Sequence, residues 1–181
     1  MAVRADGTVP VRIDGLSGVT RAAGGADFTL VLSTDGGAVG KVLGWGCNAL
    51  GQLGIGNTQD TATPTAAVGA PDDFVDLDAG NNHALARRPD GTAWSWGSNS
   101  SGRLGLGPTA PAFVPVATQI PGLSGVPAMA AGHLFSLAIA RPEQVAKPLP
   151  NPGSGEPPVD EQAPPSDEPE CPLAVPDCDH P

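Results

Sequence analysis

Three histidines are the side chains of this 181-residue chain best suited to acid–base catalysis or zinc binding. His133 and His180 have no His, Cys or carboxylate partner at the spacing of metal ligands. His83 is the strongest candidate, but the sequence places no Ser-His-Asp or Cys-His set around it that would activate a nucleophile. We therefore predict that the chain is not an enzyme and that it has no metal site.

Two other patterns resemble ligand sites but lack essential residues. The acidic run over residues 72–78 lacks the turn glycine and the final glutamate of a calcium loop, so Asp76 and Asp78 are interpreted as a solvated strand face. The glycine series at 51–56 and 102–107 lacks the Gly-Lys-Ser/Thr ending of a phosphate-binding loop, and no long helix follows it. No cofactor is expected.

A repeated block organises the chain around these residues. Residues 45–56 and 96–107 share Trp, Gly, Asn, Gly, Leu, Gly and Gly at an offset of 51 residues, and Pro64 and Pro115 keep the same offset. Cys47 aligns with Ser98, which suggests a tolerated small residue and a free thiol. The signature positions are Gly25, Trp45, Gly46, Asn48, Gly51, Gln52, Leu53, Gly54, Gly56, Gly80, His83, Trp96, Gly97, Asn99, Gly102, Leu104, Gly105, Gly107 and Gly132, and all are given structural roles.

A second block precedes each Trp-Gly block and bears directly on His83. It begins at Gly25, at Gly80 and, in a third copy, at Gly132. The position held by His83 is held by Phe28 and Phe135 in the other copies. A position that accepts phenylalanine is a packing position, so we predict a structural role for His83.

Short strands explain the alternation of apolar and polar residues within each repeat unit. In the second unit we predict strands over 74–79, 83–87, 92–96 and 114–117, with a two-residue hairpin turn at Asp90-Gly91. Trp94 and Trp96 then lie on one face, as core residues rather than as a stacking platform with Trp45. The longer hairpin of the first unit places its extra residues 37–40 at an exposed tip.

The two blocks together resemble the regulator of chromosome condensation repeat, over roughly residues 10–141. The low lysine content and the many Ala, Gly and Pro residues are typical of a GC-rich coding sequence and suggest a bacterial source. The resemblance implies an all-β fold, an incomplete β-propeller of about two to three four-stranded blades. Residues 1–141 hold two full and two partial units, against about seven repeats in full members of the family. Because the open blade faces would be exposed, we expect one of three things: a fragment of a longer repeat protein, association with copies of itself or with another chain that supplies the missing repeats, or marginal stability.

Residues 142–181 differ in composition from the rest of the chain. They hold twelve prolines, nine acidic residues and one lysine, which account for −8 of the net charge of −10. Such a segment cannot bury enough apolar surface to fold, so we predict a disordered Pro-rich acidic tail. Cys171 and Cys178 either close a small loop in an oxidising compartment or belong to a longer cysteine-rich segment.

The nearly neutral remainder of the chain argues against nucleic-acid binding by a charged face. No apolar run is long enough to span a membrane, and the N-terminus of this reading frame has no signal peptide, although a truncated start would leave an extracytoplasmic location open.

We expect a protein-interaction or scaffold module whose partner binds the loops that vary most between the copies. Their candidate residues are Asn57, Gln59, Asp60, Pro108 and Phe113. The alternatives are guanine-nucleotide exchange on a small GTPase, which the family resemblance implies, and a fragment with no activity of its own.

Overall fold

Short apolar runs bounded by Gly, Asp and Pro form ten β-strands in the described part of the chain. The computed structural model describes residues 13–14, 16–37 and 39–139. The chain divides into a unit of Met1–Lys147 and a second unit of Pro148–Pro181. The predicted tail at 142–181, with Cys171, Cys178 and His180, lies outside the described residues.

Two four-stranded antiparallel sheets form two complete blades, which confirms the predicted all-β propeller class. The first blade consists of β1 (Val19–Gly24), β2 (Phe28–Ser33), β3 (Lys41–Gly46) and β4 (Thr61–Ala66). The second blade consists of β5 (Asp76–Ala79), β6 (His83–Arg87), β7 (Ala93–Ser98) and β8 (Phe113–Gln119). A half-blade follows, made of β9 (Ala128–Ala131) and β10 (Ser136–Ile139).

The two blades repeat the same register, as the sequence repeat requires. Phe28 pairs with Gly46 across β2 and β3, and His83 pairs with Gly97 across β6 and β7. Each blade has an irregularity just before this glycine, where the third strand meets the fourth. The predicted strand over residues 83–87 is confirmed, and β8 is an edge strand, as expected from Pro115.

The core lies between the blades, because alternate residues of each strand face opposite neighbours. In β6, Ala84 and Ala86 join a buried cluster shared with the first blade, whereas Leu85 joins a cluster shared with the half-blade. Trp94 and Trp96 both contact the first of these clusters, which confirms that they share one face.

The hairpin between β6 and β7 differs from the prediction of a two-residue turn at Asp90-Gly91. The Gly91 amide donates to the Arg88 carbonyl at 2.9 Å, and the Arg88 amide donates to the Thr92 carbonyl at 3.0 Å. The connection is therefore a three-residue loop, Pro89-Asp90-Gly91, in which only Gly91 has a positive φ, of 77°. Proline fixes φ near the value that the second position of a type I turn needs, which excludes the tighter turn.

The insertion in the first hairpin is only partly an exposed tip. Val39 is exposed, but Gly40 forms a parallel bridge with Asp73 ahead of β5. The amides of Val39 and Gly40 both donate to the Asp72 carbonyl at 3.1 Å. The insertion thus ties the first blade to the segment that enters the second, and β5 itself begins at Asp76 rather than at the predicted Phe74.

Candidate functional site

The loops proposed to bind a partner are held by a buried asparagine in each complete blade. Asn48 is fully buried, and its Oδ1 accepts the amide of Leu53 at 3.0 Å. Its Nδ2 donates to the carbonyls of Asn57 and Gln59, both at 3.0 Å. One side chain therefore joins the start of the glycine segment to the middle of the following loop, and satisfies three backbone groups.

Asn99 does the same in the second blade. Its Oδ1 accepts the amide of Leu104 at 3.2 Å, and its Nδ2 donates to the carbonyl of Pro111 at 3.0 Å. The retention of asparagine at both positions was visible in the sequence as part of the signature, but its contacts were not. These contacts explain why an amide, with one acceptor and one donor end, occupies the position.

The first candidate loop is exposed and internally hydrogen bonded. Asn57, Gln59 and Asp60 are all exposed. The Asp60 carboxylate accepts the backbone amide of Asn48 at 2.7 Å, and the Asn57 side-chain oxygen accepts the amide of Gln59 at 2.9 Å. The loop therefore holds one backbone shape before any partner arrives.

The second candidate loop contributes Pro108, which is exposed, and Phe113, which is 41% exposed at the start of β8. The segment that leads into the first loop lies against β8. The Gly56 amide donates to the Pro115 carbonyl at 2.8 Å, and an antiparallel bridge joins Ile55 to Val116. The first loop thus emerges beside the strand that begins with Phe113, a contact between the copies that no spacing in the sequence indicated.

A glycine permits this close approach. Gly51 has a φ of 74°, and a Cβ on it would lie 2.6 Å from the Cα of Pro115. A larger residue would force the first glycine segment away from β8. The repeated glycine and the repeated proline therefore meet across the blade interface, and they position the neighbouring loops.

His83 lies away from these loops, between the second blade and the half-blade. It is fully buried, and its Nε2 is 3.0 Å from the Ser136 hydroxyl oxygen. Burial, followed by the positive charge of Arg103, lowers the pKa of His83. Its ring fills the space over Gly80, where a Cβ would lie 2.1 Å from the ring.

The same packing occurs in the other two copies. The Phe28 ring covers Gly25, and the Phe135 ring covers Gly132. The packing role predicted for His83 remains a proposal, and its complete burial and this threefold recurrence support it. Ser136, its partner, was missed because it lies 53 residues away in the incomplete third copy.

The acidic residues join the blades instead of forming a solvated face, which corrects the interpretation of Asp76 and Asp78. Asp76 forms an ion pair of 3.2 Å with Arg21 of β1, and Asp78 accepts the amide of Ala131 in β9 at 2.7 Å. The described residues contain no group of three His, Cys, Asp or Glu side chains that could hold a metal.

A bidentate contact holds the acidic segment ahead of β5. Both carboxylate oxygens of Asp73 accept from Arg88, at 2.7 and 2.6 Å. This hydrogen bonding with Arg88 lowers the pKa of Asp73.

The tryptophans occupy different environments. Trp96 is fully buried, and its indole nitrogen donates to the Gln52 carbonyl at 3.0 Å. Trp94 packs edge-on against the Phe74 ring, with centroids 5.9 Å apart. Trp45 is half-buried on β3, and Cys47 beside it is exposed with a free thiol. The described residues include no helix with the length and apolar character needed to cross a membrane.

Comparison with known proteins supports the repeat assignment. Residues 39–87 and 90–139 match the regulator of chromosome condensation (RCC1) repeat, and together they span more than half of the chain. A second description of the same repeat matches residues 74–103. The human probable E3 ubiquitin-protein ligase HERC6 is 35% identical over 105 residues, which cover 56% of this chain and 10% of that protein.

The zebrafish (Danio rerio) RCC2 homolog is 32% identical over 115 residues, which cover 63% of this chain and 22% of that protein. This chain therefore spans between about a tenth and a fifth of these relatives. Yeast RCC1 (Prp20), solved bound to Kap60, has a TM-score of 0.58 and 26% identity over 70% of this chain and 31% of that one. The chain belongs to the regulator of chromosome condensation repeat family, whose all-β propeller blades its sheets reproduce.

Proposed function

We propose that the described region is a non-enzymatic protein-interaction module, and that its partner binds the loop surface formed by residues 57–60 and 108–113. The observation that supports this proposal is a contact beside the two variable loops. The Gly56–Pro115 hydrogen bond and the Ile55–Val116 bridge join the segment that leads into the first loop to the strand that follows the second.

The loop surface has the composition of a small interface. Phe113 supplies an exposed aromatic side chain, and aromatic anchors dominate the binding energy of protein interfaces. Asn57, Gln59 and Asp60 supply exposed polar groups on the first loop. The backbone is held in place by Asn48 and Asn99, so little chain entropy is lost when a partner binds. That the related yeast propeller was solved bound to Kap60 is consistent with a protein partner.

The test compares capture by the full chain with capture by two variants, using extract of the source organism and quantitative mass spectrometry. In the first variant, residues 57–60 and 108–112 are replaced by Gly and Ser. In the matched control, the exposed turn at residues 35–37 is replaced instead. We expect a partner that is retained by the control and lost by the first variant.

A purified partner then allows the contribution of Phe113 to be measured. We expect Phe113→Ala to weaken binding by about tenfold, because truncating a buried aromatic anchor costs more than about 1 kcal/mol. Equal capture by all variants would refute the loop assignment. Stimulated release of labelled nucleotide from a small GTPase would instead favour the exchange-factor alternative.

A further inference from the structure

The half-blade exposes apolar side chains that the complete blades bury. Phe135 is 55% exposed, whereas Phe28 and His83 at the same position are 4% and 0% exposed. Leu137 is 60% exposed, whereas its equivalents Leu30 and Leu85 are 0% and 2% exposed. In the described part of the chain, β10 is the end strand of its sheet, so one edge of it has no strand partner.

The interface between the two complete blades shows what occupies the corresponding space there. Trp96, on the third strand of the second blade, belongs to the same buried cluster as Leu30 and Leu53 of the first blade. Its indole nitrogen donates to the Gln52 carbonyl, and Gly54 leaves room for the ring, since a Cβ there would lie 2.9 Å from the indole nitrogen.

The equivalent positions of the second blade line a cavity of about 320 Å³. Leu85, which is equivalent to Leu30, lines the cavity. Arg103, Leu104 and Gly105, which are equivalent to residues 52–54, line it as well. Ser136, Leu137 and Ala138 of β10 form its other wall. We call this cavity the tryptophan socket, because its lining repeats the surroundings of Trp96.

We propose that the tryptophan socket binds a tryptophan carried on an extended strand of a partner polypeptide, and that this strand adds to the edge of β10 that has no strand partner among the described residues. Main-chain hydrogen bonds to β10 supply affinity, and the socket supplies selectivity for the indole. By analogy with Trp96, the Arg103 carbonyl accepts the indole N–H. Trp96 pairs with Ala84 in the second blade, so the partner tryptophan lies opposite Ser136.

The interface between the two complete blades favours a single strand as the occupant of the socket, because one strand, β7, carries Trp96 there. The socket repeats the arrangement in which the first blade receives Trp96 of the second, and β10 already supplies the neighbouring second strand. A second copy of this chain does not fit, because Trp45 lies on β3, which is paired on both sides by β2 and β4. The site is separate from the loop surface and does not depend on the proposed function.

The test uses the full chain and a fluorescein-labelled peptide with the sequence of residues 88–98, which contains the strand that carries Trp96. Fluorescence anisotropy is expected to show saturable binding. Replacing the tryptophan that corresponds to position 96 by alanine in the peptide is expected to weaken binding by about tenfold, as for an aromatic anchor.

A substitution in the protein provides a second, independent test. Ala138 is exposed and lines the socket, so Ala138→Phe fills the space and is expected to abolish peptide binding. Val39→Phe adds the same ring at an exposed site elsewhere and is expected to bind like the unmodified chain. Thermal melting checks that both variants fold. If one of them does not fold, the comparison of the tryptophan and alanine peptides on the unmodified chain still tests the proposal.

Five results would overturn the proposal. The first is the absence of saturable binding, and the second is equal binding of the tryptophan and alanine peptides. The third is unchanged binding by a folded Ala138→Phe variant. The fourth is binding that appears only after removal of residues 142–181, which would make a segment of this chain the occupant. Self-association that Ala138→Phe abolishes would likewise assign the socket to a second copy.

Discussion

Replacing Trp96 by phenylalanine tests how the two complete blades are joined. Trp96 lies at 0% exposure in the cluster between them, and its indole donates the 3.0 Å hydrogen bond to Gln52. Phenylalanine keeps an aromatic ring on β7 but removes this donor and part of the ring volume. The Gln52 carbonyl, which is buried at that point, then loses its partner.

The expected cost follows from these two losses. A buried hydrogen bond contributes about 1 kcal/mol net. The smaller ring leaves a void that costs about 1–2 kcal/mol on the scale of large-to-small core substitutions. Together they predict a loss of about 2–3 kcal/mol in the free energy of unfolding. For a domain of this size that loss corresponds to a fall of about 10 °C in the melting temperature.

The assay is urea and thermal unfolding of the full chain, followed by circular dichroism. Trp45→Phe is the matched control, because it makes the same chemical change at the equivalent position of the first blade, where the side chain is only half-buried. We expect the control to lose less than about 1 kcal/mol. If the two variants lose equal stability, Trp96 does not join the blades in the way described.

Two further predictions concern single buried side chains. His83, whose pKa burial holds below its usual 6.5, stays neutral in the folded chain while the unfolded chain takes up a proton below that pH. Stability is therefore complete above pH 6.5 and falls as the pH is lowered towards the folded pKa; His83→Phe removes this dependence in urea titrations at pH 7.5 and 5. Asn48→Ala leaves the Leu53 amide and two loop carbonyls without their partner, so we expect a loss of about 2 kcal/mol and faster hydrogen exchange at the Leu53 amide, whereas the exposed-site control Asn57→Ala leaves stability and Leu53 exchange nearly unchanged.

Much of the fold could be predicted, because each blade is built from contacts close in sequence. The offset of 51 residues between Trp45 and Trp96 gave the repeat, and the alternation around Trp94 and Trp96 gave the shared face. The strand over residues 83–87 has the predicted bounds. These features depend on local periodicity, which a sequence displays directly.

The contacts between blades could not be predicted in the same way. Arg21 pairs with Asp76 and His83 with Ser136, and neither pair recurs at the repeat offset. The bond from the Phe74 amide to the Gly40 carbonyl does recur, from Val126 to Gly91, but nothing in either segment indicated it. Each depends on how one blade is placed against the next. Asp76 therefore appeared to belong to a solvated face, although the first blade supplies it with an arginine.

The three-residue loop at Asp90-Gly91 could have been predicted from Pro89, but the Asp-Gly pair was read as a two-residue turn. Pro89 fits the second position of a type I turn, and the glycine that follows Asp90 then provides the bulge. For the candidate site, the differences between the two copies of the repeat identified the loops. The hydrogen bond between Gly56 and Pro115 beside them was visible only in the structure.

Hydrogen exchange of the chain with its captured partner tests the proposed loop surface most directly. Bound partner is expected to slow exchange at the amides of residues 57–60 and at Phe113, and to leave the exposed turn at residues 35–37 unchanged. Protection confined to other parts of the described region, with both loops exchanging as in the free chain, would contradict the assignment of the loop surface as the binding site.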